Sequence, residues 1–419
     1  MTPSGYDFRP ARPALATAAL FVVVVVVASS IAFLFRWTLR RLVQFYADFS
    51  DPTRAASSLP KVVLFVVAAG SVAIAATIGH VVHRRWASRT GIEAVAASAR
   101  GEGRSISFRA TWLRVAATWI VSAGLVSIGR ETAIVEAGGS LGSVAGRRSG
   151  GRGDSMAAAG IAAAFAAAYH APFAAVLYAE EHLRVRQSKR ATTFVVLGAV
   201  GGFGTTMLVF DADPLLPDVD PSLWKVLGGG LLVVVPVVVV SRVFLQLRVL
   251  TTADALVRAI GCRRWMVVGA LSIVAGLSVM VFPLAAGNGI EALRRGPTAA
   301  TVTLGLALMI GKLVGTTAAL GAGAPGGVLS PTLGVAAGCA LLIDNRWEAI
   351  VAAMAIGVAV GMRSPLVAVF LVPELLGDYW LILPLAAVVG VAYLLDRGID
   401  VLVRRLGRLI PAGVYDEDA

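Results

Sequence analysis

Apolar segments occupy most of this chain, and their lengths constrain the fold more than any other feature. The first, near residues 13–35, is long enough for a membrane helix, which needs roughly 20 apolar residues. Several later segments are shorter, and Gly or Pro interrupts others, as at Ala171-Pro172 and Ser364-Pro365. Helices that start or stop inside a membrane are tolerated only where they are buried in protein or line a cavity. The pattern therefore predicts an all-α polytopic membrane protein with many short, tilted and broken helices.

The composition agrees with a membrane protein and excludes other classes. Only 15% of the residues are charged and 57% are hydrophobic, whereas soluble domains carry about 25% charged residues. The net charge of +12 is typical of the Lys/Arg enrichment of cytoplasmic loops. No stretch combines basic residues with stacking aromatics, so we expect no nucleic-acid partner. Cys262 and Cys339 provide neither a disulfide nor a metal framework, and we expect no metal and no cofactor.

The charges of the loops indicate how the chain lies in the bilayer. The loop His182–Arg190 is strongly basic, which marks the cytoplasmic side, and the acidic, Pro-rich loop Asp211–Asp220 suits the opposite side. The basic run Arg36–Arg41 does not follow the rule that basic loops are cytoplasmic. If the N-terminus is cytoplasmic, this run comes after one membrane crossing and lies on the outer side. We expect a multi-pass protein of the cell membrane with both termini in the cytoplasm.

One acidic residue lies between two apolar segments, in the stretch Gly129-Arg130-Glu131-Thr132-Ala133. A charge near the bilayer centre is disfavoured by about 3 kcal/mol or more, so such residues usually belong to an ion or proton pathway. A helix that begins just after this point directs free backbone N–H groups toward it. We therefore interpret Glu131 as an anion that competes for a site built to hold anions.

An internal repeat places a second break opposite the first. The segment Ala171–Glu181 and the segment Ser364–Glu374 share a proline, an Ala-Val pair and a closing glutamate at an offset of 193 residues. The same offset carries Glu131 to Ala324, which lies inside the Gly- and Pro-rich stretch Gly323–Pro331. Repeats of this kind place the substrate site between the two halves, near the midplane of the membrane.

These motifs resemble those of the CLC family of chloride channels and chloride/proton exchangers. Gly129-Arg130-Glu131 resembles the start of the G-[KR]-E-G-P motif, and Gly323–Pro331 resembles the G-x-[FIL]-x-P motif, with Lys312 upstream. The resemblance implies an inverted-repeat fold, a homodimer with one pore per subunit, and transport of chloride or a similar monovalent anion with protons. It implies no enzymatic activity.

The resemblance also divides the chain. It implies a transport domain over residues 61–395, with repeat halves at about 61–210 and 224–395. Residues 1–60 then hold an N-terminal tail, a first membrane helix and a loop. Residues 396–419 form an amphipathic cytoplasmic tail.

Carried over residue by residue, the resemblance assigns a role to each site residue. Glu131 corresponds to the external gating glutamate, and Glu181 corresponds to the internal glutamate that passes protons to the cytoplasm. Further residues are expected around the anion, through backbone N–H groups or hydroxyls: Ser88, Gly129, Arg130, Thr132, Val328, Leu329 and Ser330.

The sequence departs from the family pattern at three places. Thr132-Ala133 stands where the family has Gly-Pro, and only Ser88 fits well in Ala87–Glu93, where the family has its G-S-G-x-P selectivity loop. No tyrosine occurs in 399–405, where the inner side of the site usually has one. These departures keep a passive chloride channel open as the alternative to anion/proton exchange. A membrane enzyme or cation transporter is disfavoured, because the sequence has no metal-ligand cluster, nucleophile–base pair or phosphate loop.

Other acidic residues have competing interpretations. A buried salt bridge with Arg130 is the structural alternative for Glu131, and Glu180 competes with Glu181 for the proton role. Glu136 faces the same cavity or is a buried, hydrogen-bonded carboxylate. For Glu374 we favour capping or pairing at a helix end, and for His170 a packed or hydrogen-bonded ring.

Overall fold

The computed structural model describes residues 14–86, 89, 91–102, 106–148, 153–185, 189–210, 214–217, 222–294 and 301–409. The regular structure within these ranges is helical, apart from one β-bridge between Gly129 and Gly327. Seven helical segments are long and apolar enough to cross a membrane. The prediction of an all-α polytopic protein is confirmed.

The helices of the first half differ widely in length, from 34 residues in α1 to six in α8. They are α1 (Ala14–Ala47), α2 (Pro52–Ser58), α3 (Lys61–Trp86), α4 (Ile92–Ala99), α5 (Phe108–Ala123), α6 (Glu131–Arg148), α7 (Gly153–Tyr169), α8 (Pro172–Leu177) and α9 (Lys189–Val209). A π-helical turn, Tyr178–His182, extends α8.

The second half contains a comparable series. Its helices are α10 (Leu223–Leu250), α11 (Ala253–Ile260), α12 (Arg264–Val281), α13 (Ile290–Leu293), α14 (Val302–Leu306), α15 (Lys312–Ala322), α16 (Leu329–Leu341), α17 (Trp347–Gly361), α18 (Pro365–Leu376) and α19 (Ile382–Leu409). A π-helical turn, Ala307–Gly311, joins α14 to α15.

The helices that correspond in the two halves begin at nearly constant offsets. α8 and α18 begin at residues 172 and 365, and α9 and α19 begin at 189 and 382, so both pairs are 193 residues apart. Proline is the first residue of both α8 and α18, because a missing N–H is tolerated in the first turn of a helix. The inverted repeat is thus a repeat of helices as well as of motifs.

Two predicted boundaries differ from those of the structure. α1 packs on α6, α7 and α9 just as α10 packs on α16, α17 and α19, so α1 belongs to the first half rather than to a separate N-terminal region. The expected division at residue 396 falls inside α19, which runs without a break from Ile382 to Leu409. The boundaries were not predictable because the apolar content of a helix does not show which other helices it packs on. The tail beyond residue 409 lies outside the described residues.

Small residues allow the central helices to approach one another closely. α6 and α7 cross at Gly138 and Gly160, where a Cβ on Gly138 would lie 2.3 Å from the Gly160 carbonyl oxygen. α7 is rich in alanine and almost wholly buried. This close approach brings the N-terminus of α6 and the C-terminus of α7 to the same place in the membrane interior.

Candidate functional site

The two glycine-led breaks meet directly. The Gly129 N–H donates to the Gly327 carbonyl at 2.9 Å, and the Gly327 N–H donates to the Gly129 carbonyl at 2.7 Å. A Cβ on Gly129 would lie 2.7 Å from the Gly327 carbonyl oxygen, so only glycine allows this approach. Because α6 begins at Glu131 and α16 at Leu329, the bridge holds two helix N-termini side by side.

Helix N-termini that meet in this way form a region of positive potential. The first N–H groups of each helix have no partner within the helix, and the helix dipole adds partial positive charge there. Val328, the residue before α16, makes no side-chain capping bond to these groups. The Gly129 N–H already donates to the Gly327 carbonyl, so this N–H is not free to bond another group.

Glu131 lies between these N-termini with its side chain buried. Its Oε1 accepts a hydrogen bond of 2.5 Å from the Ser330 hydroxyl and a longer one, 3.5 Å, from the Asn288 amide. Its Oε2 is buried and has no hydrogen-bond partner among the described residues. A carboxylate with one free oxygen thus rests against the first turn of α16.

Tyr169, the last residue of α7, completes this hydroxyl chain. Its hydroxyl lies 2.8 Å from the Ser330 Oγ and is fully buried. Because Ser330 donates its proton to Glu131, Tyr169 donates to Ser330. The sequence did not point to Tyr169, because the family pattern has its tyrosine near residues 399–405. Tyr393, which precedes that segment on α19, accepts a hydrogen bond from the exposed Arg397.

Arg130 pairs with a residue other than the neighbouring glutamate. Its guanidinium contacts Glu291 of α13 in a buried ion pair. The alternative of a salt bridge between Arg130 and Glu131 is therefore wrong. Asn288 and Glu291 were not predicted as site residues, and the Gly-Asn-Gly turn at 287–289 was the available signal.

Lys312 fixes the turn that carries Asn288. Its ammonium is fully buried and donates to the carbonyls of Ala285 and Gly287, both at 2.8 Å, and to the Ser127 hydroxyl at 3.3 Å. Three donors thus have three acceptors, as a buried ammonium requires. Lys312 positions the Asn288 turn beside Glu131.

The glutamates that close the repeated segments cap one another's helices. Both oxygens of Glu374 accept from the first turn of α8, from Phe173 N–H at 2.9 Å and from Ala174 N–H at 2.8 Å. Both oxygens of Glu181 accept from the first turn of α18, from Leu366 N–H at 3.2 Å and from Val367 N–H at 2.9 Å. The predicted structural role of Glu374 is confirmed, and Glu181 has an equivalent structural bond.

The π-helical turn after α8 carries three more polar side chains beside Glu181. Glu180 has a buried Oε1 with no hydrogen-bond partner among the described residues. The His182 ring stacks on Tyr178, with ring centroids 5.0 Å apart, and its Nδ1 lies 3.0 Å from the Ser364 hydroxyl. Tyr178 stacks in turn on Phe165, which contacts Tyr169. A line of aromatic rings thus connects the Glu131 region with this turn.

The remaining predicted residues lie in different surroundings. Glu136 is buried and holds α4 and α5 against α6, because it accepts from the Gly91 N–H at 2.9 Å and pairs with Arg114 at 3.0 Å. It is the buried, hydrogen-bonded carboxylate of the two interpretations. Thr132 lies on the first turn of α6 with its hydroxyl close to Gly327. Ser88 lies outside the described residues.

The site is therefore an arrangement of carboxylate, hydroxyl and backbone groups. The described residues contain no group of three or more His, Cys, Asp and Glu side chains placed to hold a metal ion. Glu131, Ser330 and the N-termini of α6 and α16 come together, whereas Glu181 lies on the separate turn after α8. Such a site suits an anion that displaces a carboxylate.

Known proteins share both the sequence pattern and the fold. The H(+)/Cl(−) exchange transporters ClcA of Salmonella typhimurium and Salmonella agona are 29% identical to this chain, over 63% of the chain and 61% of their own length. A slow cyanobacterial Cl−/H+ antiporter has a TM-score of 0.71 at 20% identity, covering 95% of this chain and 99% of that one. A CLC-type fluoride/proton antiporter has a TM-score of 0.70 at 20% identity, covering 92% and 96%.

A family profile also matches most of the chain. The profile described as voltage gated chloride channel covers residues 70–397, which include most of both halves of the repeat and every described residue of the site. The protein is therefore a multi-pass membrane protein with the inverted-repeat CLC fold. The chain belongs to the voltage gated chloride channel family.

Proposed function

We propose that the protein exchanges a monovalent anion, with chloride as the first candidate, for protons across the cell membrane. The observation that carries this proposal is the buried Glu131 carboxylate at the N-terminus of α16, bonded by Ser330. A weakly hydrated anion can be held by helix N-termini and hydroxyls without a full positive charge that would trap it. The names of the ClcA relatives and of the two solved antiporters support the same activity.

In this proposal, anion binding and proton uptake are coupled by mutual exclusion. The ionised Glu131 occupies the place between the α6 and α16 N-termini. When Glu131 takes up a proton, its attraction to those N–H groups falls, and an anion can replace it. The anion contacts proposed here are the backbone groups of Gly129, Arg130, Val328 and Leu329 and the hydroxyls of Thr132 and Ser330, with Ser88 as an unplaced further hydroxyl. Of these, Gly129 would have to release Gly327 to contribute its N–H.

The internal proton station is proposed to be the pair Glu180 and Glu181. Resemblance assigns the role to Glu181, whose oxygens are bonded to the first turn of α18. Glu180 supplies a buried oxygen without a partner among the described residues, so it is able to accept a proton with no loss of an existing bond. The basic loop that begins after His182 supports a cytoplasmic position for this pair.

Proteoliposomes loaded with chloride test the exchange. Outward chloride movement should drive proton uptake by the wild type, and Glu131→Gln should abolish proton movement while chloride still moves. Chloride movement without proton movement in the wild type would refute the exchange. A comparison of chloride, bromide, nitrate and fluoride identifies the anion that moves the most protons.

A passive anion channel is the second candidate, and one observation favours it. Both oxygens of Glu181 serve as a helix cap, which leaves this glutamate no oxygen free of a backbone bond. In planar bilayers with a pH gradient, the reversal potential of a channel ignores pH, whereas that of an exchanger shifts with it. Glu180→Gln and Glu181→Gln, measured side by side, show which glutamate carries protons.

A further inference from the structure

A wide cavity opens beside the narrow space around Glu131. It has a volume of about 490 Å³, and three arginines line it, Arg36 and Arg40 of α1 and Arg294 after α13. A second cavity of about 30 Å³ is lined by the same three arginines and by Glu131 and Tyr169. The arginines therefore stand where the wide cavity meets the narrow one. We call the wide cavity the arginine vestibule.

The charges of the three arginines are not neutralised within the vestibule. Arg36 donates to the carbonyls of Ala167 and Ala168 at 3.3 Å, and Arg294 donates to the Leu215 carbonyl at 3.0 Å. Carbonyl groups orient a guanidinium but leave its full charge in place. None of the described residues that line the vestibule is acidic.

The acidic groups close to these arginines also have other partners. Glu291 lines the narrow cavity with the three arginines, and one of its oxygens is in a buried ion pair with Arg130. Asp51 caps the first turn of α2. The described residues of the vestibule therefore carry three positive charges. The carboxylate of Glu131, in the adjoining narrow cavity, offsets at most one of them. The remaining wall of the vestibule is apolar or neutral, with Trp37 and Phe210 among the lining residues.

We propose that the arginine vestibule binds a small divalent oxyanion, of the class of sulfate or hydrogen phosphate. Several guanidinium groups around one cavity match the oxygen atoms of such an anion, because planar N–H pairs bond two oxygens at once. The cavity volume leaves room for a tetrahedral anion together with ordered water. Chloride, with one charge and no separate acceptor atoms, makes fewer of these bonds.

The two cavities differ in size so much that the oxyanion stops at the vestibule. A cavity of about 30 Å³ holds roughly one or two water molecules, which suits a monatomic anion and excludes a tetrahedral one. An oxyanion bound at the three arginines therefore blocks the approach to Glu131 from this side. This blocking effect rests on the proposed exchange function, whereas the binding itself does not.

The vestibule also accounts for the exception in the loop charges. Arg36 and Arg40 lie within the continuous helix α1, not in a loop, and they line the vestibule near Glu131. Pro214–Pro217, from the loop expected on the outside, line the same cavity. Arginines on the outer side are thus explained by the anion they hold.

Sulfate titration of the purified, detergent-solubilised protein tests the binding without any transport measurement. Calorimetry should show one sulfate per chain, and the fluorescence of Trp37 should change, an effect that Trp37→Phe removes. Arg40→Gln should weaken sulfate binding about tenfold, as expected for the loss of one charged hydrogen-bonding group. Arg54→Gln is the matched control, because Arg54 is exposed on α2 and does not line the vestibule.

Sulfate binding that is equal in the wild type and in Arg40→Gln and Arg294→Gln would overturn the proposal, and so would the absence of binding. In proteoliposomes, sulfate added on the side to which the vestibule opens should inhibit chloride flux, and Arg40→Gln should reduce that inhibition. If sulfate binds at these arginines while no proton-coupled flux is found, the exchange function fails and the vestibule site stands. If exchange is found and sulfate neither binds nor inhibits, the vestibule site fails alone.

Discussion

Replacing Glu374 by alanine should reduce the stability of the protein more than the same change at Glu181, although both glutamates cap a helix of the opposite half. Glu374 is 4% exposed, and its removal leaves the N–H groups of Phe173 and Ala174 without a partner. The bond to Ala174 is buried and the bond to Phe173 is part-buried, so we expect a cost of about 1–3 kcal/mol for the Ala174 N–H and a smaller cost for the Phe173 N–H.

Glu181 is more accessible than Glu374, and this difference sets the expected contrast. Its side chain is half-buried, and its bond to Leu366 is exposed while its bond to Val367 is part-buried. The loss of a capping residue under such conditions costs about 0.5–2 kcal/mol. The smaller value follows from the burial of the two sites alone, since the bond lengths are similar.

Thermal unfolding of the purified variants in detergent measures this contrast. Glu374→Ala should lower Tm clearly more than Glu181→Ala, and Glu374→Gln should fall between, because its amide oxygen still accepts one bond. The folded fraction of Glu374→Ala should transport anions and protons in the wild-type ratio. Equal decreases of Tm, or a greater decrease for Glu181→Ala, would refute the reasoning from burial.

Four other substitutions test the site and its supports, and Gly70→Ala is the control for the last of them. Ser330→Ala should raise chloride flux at neutral pH about tenfold or more relative to its effect in the Glu131→Gln background, because the Glu131 carboxylate loses a bond of about 1.5–3 kcal/mol, whereas the anion loses the same hydroxyl in both backgrounds. Tyr169→Phe should act in the same direction but less, and an equal effect of each substitution in both backgrounds would contradict the hydroxyl chain. Lys312→Met should lower Tm strongly, since the carbonyls of Ala285 and Gly287 lose a buried charged donor, and a normal Tm would mean that water replaces the ammonium. Gly129→Ala should abolish folding or transport, whereas Gly70→Ala, with open space around it, should raise Tm or leave it unchanged.

Local features of the sequence predicted much of the fold. Short stretches of sequence show segment length, proline at helix starts and the spacing of the repeated motifs. These features correctly predicted the starts of α8 and α18 and the two breaks that meet in the Gly129–Gly327 bridge. The position of α1 in the first half could not be predicted, because a uniformly apolar helix does not specify its neighbours. The same holds for α19, whose amphipathic end continues the membrane helix without a break.

The surroundings of the candidate site could be predicted only in part. The motif residues around Glu131 were predicted from their resemblance to the family motifs, but the partners of Glu131 come from distant parts of the chain. Asn288 and Ser330 are 157 and 199 residues away in sequence, and Arg130 finds Glu291 across 161 residues. Ser330 lies in a predicted motif and a Gly-Asn-Gly turn marks Asn288, but the local sequence does not show that these residues bond to Glu131, because only the crossing of helices brings them together.

The symmetry of the two halves helps to separate structural residues from functional ones. Glu181 and Glu374 occupy equivalent positions. Each accepts hydrogen bonds from the first turn of a helix in the other half, so both stabilise the contact between the halves. Glu131 has Ala324 at the equivalent offset, and Glu180 has Pro373.

Two ionised carboxylates between the same pair of N-termini would repel one another, which explains why only one half supplies the group that competes with the anion. A proton path must likewise lead from that single group to one side of the membrane. In the proposed exchange, the residues that break the symmetry, Glu131 and Glu180, are therefore the candidates for the two ends of the proton path.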